Sequence, residues 1–164
     1  MKLYLVEIGG MRDGNLFECH EVHALVASSE EQLILECQVR FAGAMRAAHL
    51  DGWIELELEN LTEDSRRDGT SFFIAELGRN STRAMREEHD YRFLSAGSLR
   101  EAVQAARQGA PGWHVDACVN LDDLARKAGY ALRRDLFGAV PAPRSQARYL
   151  RFLEPRSEVS VPAR

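Results

Sequence analysis

Leu3-Tyr4-Leu5-Val6-Glu7-Ile8-Gly9 and, 69 residues further on, Phe72-Phe73-Ile74-Ala75-Glu76-Leu77-Gly78 are the two stretches on which the reading of this chain turns. Each is a short apolar run interrupted by one glutamate and closed by a glycine. A run that is apolar on both faces predicts a strand in the middle of a sheet. At the same offset Glu18-Cys19-His20-Glu21 falls on Glu87-Glu88-His89-Asp90, Leu25 on Leu94, Ala27 on Ala96, and Ser29-Glu30-Glu31-Gln32 on Ser98-Leu99-Arg100-Glu101. Beyond that point the offset becomes 65, with His49-Leu50-Asp51 on His114-Val115-Asp116 and Leu56 on Leu121. The four missing residues fall where a helix would end and a loop begin, and loops tolerate deletions. The common order and spacing predict two diverged copies of one small unit laid end to end.

Each copy reads as strand, strand, helix, strand. The first strand is expected over 3–8 and 72–77, with Gly9-Gly10 and Asp13-Gly14 marking the turn after it. The second is expected over 16–27 and 85–96, with Val22, Ala24 and Val26 on one face and Tyr91 and Phe93 on the matching face. Ser29…Gln32 and Ser98…Glu101 fit a capping box, in which Ser takes a free amide and Gln or Glu reaches back to the Ser amide. Leu33, Ile34, Cys37 and Phe41, and likewise Leu99, Ala102, Val103 and Ala106, form a buried helical stripe; Gly43 and Gly109 stand near the exits. The third strand is expected over 50–58 and 115–121, with Leu50, Ile54, Leu56 and Leu58 opposed in part by Trp53, Glu55 and Glu57. Glu59 to Gly69 reads as a connector. Asp122 to Lys127 reads as a helical turn, Tyr130 to Leu132 as a short strand and Ser145 to Leu153 as a last short element. The fold class expected is α+β: an internally duplicated β-β-α-β unit, its sheet antiparallel or mixed, with helices packed on one face. The domains expected are 1–60 for the first repeat, 70–137 for the second, and 138–164 for a basic tail rich in Pro and Arg.

With 164 residues the chain has length for one ordinary domain or two small ones. No apolar run approaches the roughly 20 residues of a membrane span. Met1 to Glu7 does not read as a signal peptide, since its apolar stretch is short and interrupted, and a cytoplasmic protein is expected. Cys19, Cys37 and Cys118 are odd in number and lack CxxC spacing, which fits reduced thiols. The net charge of −4 argues against bulk attraction to nucleic acid. Residues 1–124 hold 22 acidic against 12 basic side chains, and 125–164 hold 3 against 9. A basic tail on an acidic body either folds back on it or reaches an acidic partner.

On these residues the chain resembles a bacterial family known as domain of unknown function 1543, here in two tandem copies. The likeness rests on Leu3 through Gly10, Glu18-Cys19-His20-Glu21-Val22 and His49-Leu50-Asp51, and again on Glu76-Leu77-Gly78, Glu87-Glu88-His89-Asp90 and His114-Val115-Asp116. It covers about 1–58 and 72–124. The Asp that the family has after the strand-two His is Glu21 in the first copy. The resemblance implies the organisation and brings no activity or catalytic residues with it.

The polar residues that recur are Glu7/Glu76, Glu18/Glu87, His20/His89, His49/His114 and Asp51/Asp116. Residues two apart on a strand share a face, so each His lies beside a carboxylate. Such a pair can fix a tautomer, raise basicity or supply two metal ligands. Nitrogen with carboxylate oxygen suits zinc, manganese or iron. Against this stands a purely structural hydrogen-bond network, since no HxH, HExxH or CxxC supplies a familiar ligand pair. Gly9-Gly10-x-x-x-Gly14 lacks the Lys-Ser/Thr ending of a phosphate loop and reads as a turn. Ser nucleophiles lack a GxSxG setting. Trp53 and Trp113 read as core aromatics before ligand platforms. The first functional expectation is a module without cofactor that binds a small ligand or a protein in a cleft on the pseudo-twofold axis, as monomer or homodimer. The second is a metal-dependent, hydrolase-like enzyme with a divalent ion such as zinc or manganese. Nucleic-acid binding through the Arg-rich tail ranks below both.

Overall fold

Ten consecutive residues, Lys2–Met11, form β1 in a computed structural model that describes residues 1–62, 69–81, 85–136 and 138–153. There follow β2 (Cys19–Ala27), α1 (Glu30–Phe41), β3 (Arg46–Asn60), β4 (Ser71–Arg79), β5 (Glu88–Ala96), α2 (Leu99–Arg107), β6 (His114–Asn120), α3 (Leu121–Lys127), β7 (Tyr130–Leu132) and β8 (Arg144–Arg151). Among the described residues, two antiparallel sheets and three helices make an α+β protein in which strands dominate. The chain divides into two compact units. Unit 1 is Met1–Glu57 joined by the stretch from Ala142, and unit 2 is Leu58–Pro141.

In unit 1 the strands run in the order β2-β1-β3, with β8 on the outer edge of β3. The central place of β1 follows from its burial on both faces, interrupted only at Glu7. In unit 2 the order is β5-β4-β6, with β4 central for the same reason. The last residues of β3, Leu58–Asn60, pair with β7 in unit 2.

One face of each sheet carries its helix. Tyr4, Val6 and Ile8 meet Leu33 and Cys37 of α1, together with Leu50 and Trp53. Each large side chain so buried contributes roughly 1.5–3 kcal/mol. In unit 2, Phe73, Ala75 and Leu77 meet the smaller Ala102 and Ala106 of α2. Burial pushes the Cys37 thiol up to about 11.

Several expectations are corrected. Gly9 and Gly10 lie inside β1, not in a turn after it; Asp13 and Gly14 do stand in the turn, with Gly14 at φ 86°. The second strands begin at Cys19 and Glu88, later than 16 and 85, because Gly9 and Gly10 extend the first strand and shift the hairpin outward. The third strand of the first copy begins at Arg46, not at 50. Ser29 and Ser98 cap their helices by accepting from the amides of Gln32 and Glu101. The reciprocal bond, however, goes one residue further back: Gln32 accepts from Ser28 N and Glu101 from Gly97 N. Leu99, assigned to the buried stripe, is exposed in the first turn of α2. Part of the connector, 63–68, lies outside the described residues.

The alternation expected along the third strand also fails, for a definite reason. Glu7 pairs with Gly52 and Ile8 with Leu50, so Asp51 is an extra residue in a β-bulge. The bulge resets the parity, and Leu50 and Trp53 come to share the helix face. Unit 2 has the same irregularity: Glu76 pairs with Ala117 and Leu77 with Val115, leaving Asp116 extra. The C-terminal stretch, expected as a basic tail with a last short element over 145–153, supplies β8 and folds back on unit 1. Its Arg144 lies 3.9 Å from Glu55, and Arg148 forms an ion pair with Glu30.

Candidate functional site

Gly9 is the residue around which the unit 1 site is built. It is in register with His20 of β2 on one side and His49 of β3 on the other. A glycine between two histidines leaves an open floor over which both imidazoles can lean. A Cβ placed on Gly9 would lie 2.3 Å from His49 Nε2 and 2.9 Å from Asp51 Oδ2. Gly78 repeats the arrangement between His89 and His114. Its Cβ would lie 2.2 Å from Asp116 Oδ2 and 2.8 Å from His114 Nε2. Both glycines are visible in the sequence as recurring positions; the turn expected at Gly9 conceals the role.

Four side chains converge over each floor. In unit 1, His20 Nε2 is 3.2 Å from Asp51 Oδ2 and 3.8 Å from Glu18 Oε1. His49 Nε2 is 3.5 Å from Asp51 Oδ1 and 4.0 Å from Glu18 Oε2. In unit 2, His114 Nε2 is 2.9 Å from Glu87 Oε1 and 3.0 Å from Asp116 Oδ1. His89 Nε2 is 3.6 Å from Asp116 Oδ2 and 3.8 Å from Glu87 Oε2. The expected pairings of each His with a carboxylate two residues away therefore form, and each unit gathers its own pairs into one cluster. The bulges at Asp51 and Asp116 aim those carboxylates inward, a use of bulges common beside functional sites.

Two observations bear on what the clusters can do. Asp51 Oδ2 and Glu87 Oε1 are shielded from solvent and accept no hydrogen bond, although an imidazole nitrogen lies 3.2 Å from the first and 2.9 Å from the second. An imidazole N–H turned toward each oxygen, or a cation seated between nitrogen and oxygen, would satisfy it. In addition, His49 Nδ1 lies 3.0 Å from the Ala47 carbonyl. A proton on Nδ1, donated to that oxygen, leaves the Nε2 lone pair facing the cluster. Ala47 itself holds φ 56°, a left-handed conformation costly for a residue with a Cβ.

Glu18, His20 and His49 offer donor atoms all within 4.8 Å of one another, as do Glu87, His89 and Asp116. A tetrahedral ion with bonds of 2.0–2.1 Å separates its ligands by about 3.3 Å, so small side-chain adjustments would bring these donors onto an ion. Glu7 and Glu76, the remaining candidates, form no ion pair with these histidines among the described residues. Trp53 belongs to the helix-side core and Trp113 packs beside its own, with the Arg79 guanidinium 4.6 Å from its ring centre. Tyr149 of β8 lies against His49, ring centres 4.8 Å apart. No repeat pointed to Tyr149, because β8 has no counterpart among the described residues of unit 2. A cavity of 670 Å³ beside the end of β1, lined in part by Arg12, Met45 and Arg46, contains none of the recurring residues.

Against known proteins, no family model matches the chain and no curated protein matches it. Among solved structures, it is similar to the crystal structure of a protein Il1583 from Idiomarina loihiensis. The identity is 19%, the match covers 93% of this chain and 99% of that one, and the TM-score is 0.58. The likeness is one of fold.

Proposed function

We propose that this protein binds divalent metal, one ion in each unit, through the clusters Glu18/His20/His49/Asp51 and Glu87/His89/His114/Asp116. The observation that carries the reading is the pair of solvent-shielded carboxylate oxygens facing imidazole nitrogens without a hydrogen bond. Leaving such groups unsatisfied costs about 1–3 kcal/mol each, and a bound cation removes that cost. The glycine floors leave the space in which the donors meet. Mixed imidazole and carboxylate donors favour zinc, manganese or iron. This narrows the expected small-ligand module to a ligand held within each unit. We also place the chain, on the residues quoted above, with the domain of unknown function 1543 family and in the cytoplasm. No helix among the described residues is long and apolar enough to cross a membrane.

Metal analysis of the purified full chain, before and after chelation and reloading, tests the reading. Two ions per chain are expected, one lost in His20→Ala, the other in His89→Ala, and both in the double variant. The melting temperature should rise with added zinc or manganese. No uptake of either ion, with no change in melting temperature, overturns it. A second reading, metal-dependent hydrolysis, is favoured by the four donors in each cluster. Three suffice for a catalytic ion, leaving a carboxylate as general base.

A further inference from the structure

The two clusters share donor types and differ in what stands beside them. Along the outer edge of β3, His49 is in register with Arg151 of β8, and Leu50 with Leu150. Leu150 packs on the helix-side core, and Phe152 is buried in it with its N–H donated to the Ala48 carbonyl. Alternation along the strand therefore puts Tyr149 and Arg151 on the opposite face, the one that bears His49. The Tyr149 ring against His49 agrees with that assignment. Directly opposed residues on one face have Cβ atoms about 4.5–5.5 Å apart, so the Arg151 guanidinium can reach over the cluster.

The other two arginines of β8 are engaged, Arg144 beside Glu55 and Arg148 with Glu30. Arg151 is exposed, and its guanidinium forms no ion pair or hydrogen bond among the described residues. Two carboxylates and two neutral imidazoles are balanced by one divalent ion, so an anion bound to that ion needs a cation of its own. A guanidinium offers a planar fork that matches carboxylate and phosphate. In unit 2 no described strand lies along the outer edge of β6 to bring an arginine there. Among the described residues β6 pairs with β4 alone, and Arg79, next to Gly78, is stacked on Trp113 and paired with Glu88.

We infer that the unit 1 centre takes a small phosphate or carboxylate anion, held between its metal ion and Arg151, and that the unit 2 centre does not. The inference rests on the metal-binding reading. Its test uses the full chain loaded with manganese, with metal content measured first. A chain that takes up no metal overturns the metal reading before any anion is added. Calorimetric titration with inorganic phosphate, and separately with acetate, should give one anion per chain. The tighter of the two identifies the headgroup. Removal of the unit 2 centre by His89→Ala should leave that binding unchanged. Arg151→Gln should weaken it on the order of 10- to 100-fold with both metal ions retained, and Arg151→Lys should recover part of the loss. Two anions per chain, equal affinity in Arg151→Gln, or no binding of either anion to the metal-loaded chain overturns the inference.

Discussion

His49 and His114 occupy equivalent register positions, each beside a glycine of the central strand, yet the side chain of His49 is 6% exposed and that of His114 is 47%. The cause is β8. In unit 1 it covers the outer edge of β3 and lays Tyr149 against the imidazole; β6 has no such neighbour among the described residues. The contrast lies in this imidazole, since Asp51 and Asp116 are exposed alike, at 26% and 32%. In the sheltered centre, charges interact through a lower dielectric and an unpartnered polar atom is costly. In unit 2 the half-exposed His114 makes the shortest nitrogen–oxygen approaches of the two clusters, 2.9 and 3.0 Å. One added strand thus gives equivalent register positions different exposure.

This contrast can be broken most forcefully at the two histidines. His49→Ala removes a buried ring, its bond to the Ala47 carbonyl and its contact with Tyr149. The expected loss of stability in urea unfolding is about 3 kcal/mol. His114→Ala, at a half-exposed position, is expected to cost only about 0.5 kcal/mol. Equal losses would show that shelter by β8 does not separate the centres.

The glycines give the next largest effect. Gly9→Ala and Gly78→Ala each place a methyl group among the donors, and each should abolish metal uptake at its own centre alone. Stability should separate them. At Gly9 the hemmed-in His49 cannot yield, and overpacking should cost about 2 kcal/mol. At Gly78 the more open side chains can move aside, for a cost below about 1 kcal/mol. Metal titration and denaturant melts of the two variants measure both halves of the prediction.

Alkaline titration sharpens the comparison in the core. At an offset of 69, Cys37 corresponds to Ala106, so only unit 1 buries a thiol at this place. Burial raises the folded thiol to about 11 from an ordinary 9.0. Its contribution is complete below the unfolded value and is lost as pH rises through the folded one. Stability should therefore fall by up to about 1.4 kcal/mol per pH unit in that window, relative to Cys37→Ala. Parallel pH profiles for the two proteins would contradict the assignment.

The smallest effect is expected where unit 2 already holds the relaxed residue. Ala47 sits at φ 56°, and its counterpart at an offset of 65 is Gly112 at φ 81°. Ala47→Gly should stabilise the fold by up to about 1 kcal/mol, with metal uptake retained. A loss of stability would place the strain elsewhere.

Much of the scaffold was legible because it rests on local rules. Apolar runs at 3–8 and 72–77 led to the central strands, and Ser29 and Ser98 to the helix starts. The short helix at Asp122 to Lys127 and the strand at Tyr130 to Leu132 were marked by their local pattern. The sharing of a face by Glu18 with His20 and by His49 with Asp51 followed from the strand period. What could not be read depended on pairing. Strand alternation put Leu50 and Trp53 on opposite faces, and only the bulge at Asp51, a property of two strands in register, brought them together. The role of Gly9 was hidden for a similar reason: glycine is permissive alone, and its neighbours across the sheet decide whether it is a turn or a floor.

By itself the sequence determined two strand–strand–helix–strand segments and the recurrence of two histidines and their carboxylates in each, because periodicity and capping act within a few residues. Only the tertiary structure decided that each set closes over its own glycine, that bulges turn Asp51 and Asp116 inward, and that β8 brings Tyr149 and Arg151 to one centre alone. Those features come from hydrogen-bond register between strands distant along the chain, where a shift of one residue would send the same side chains to the opposite face.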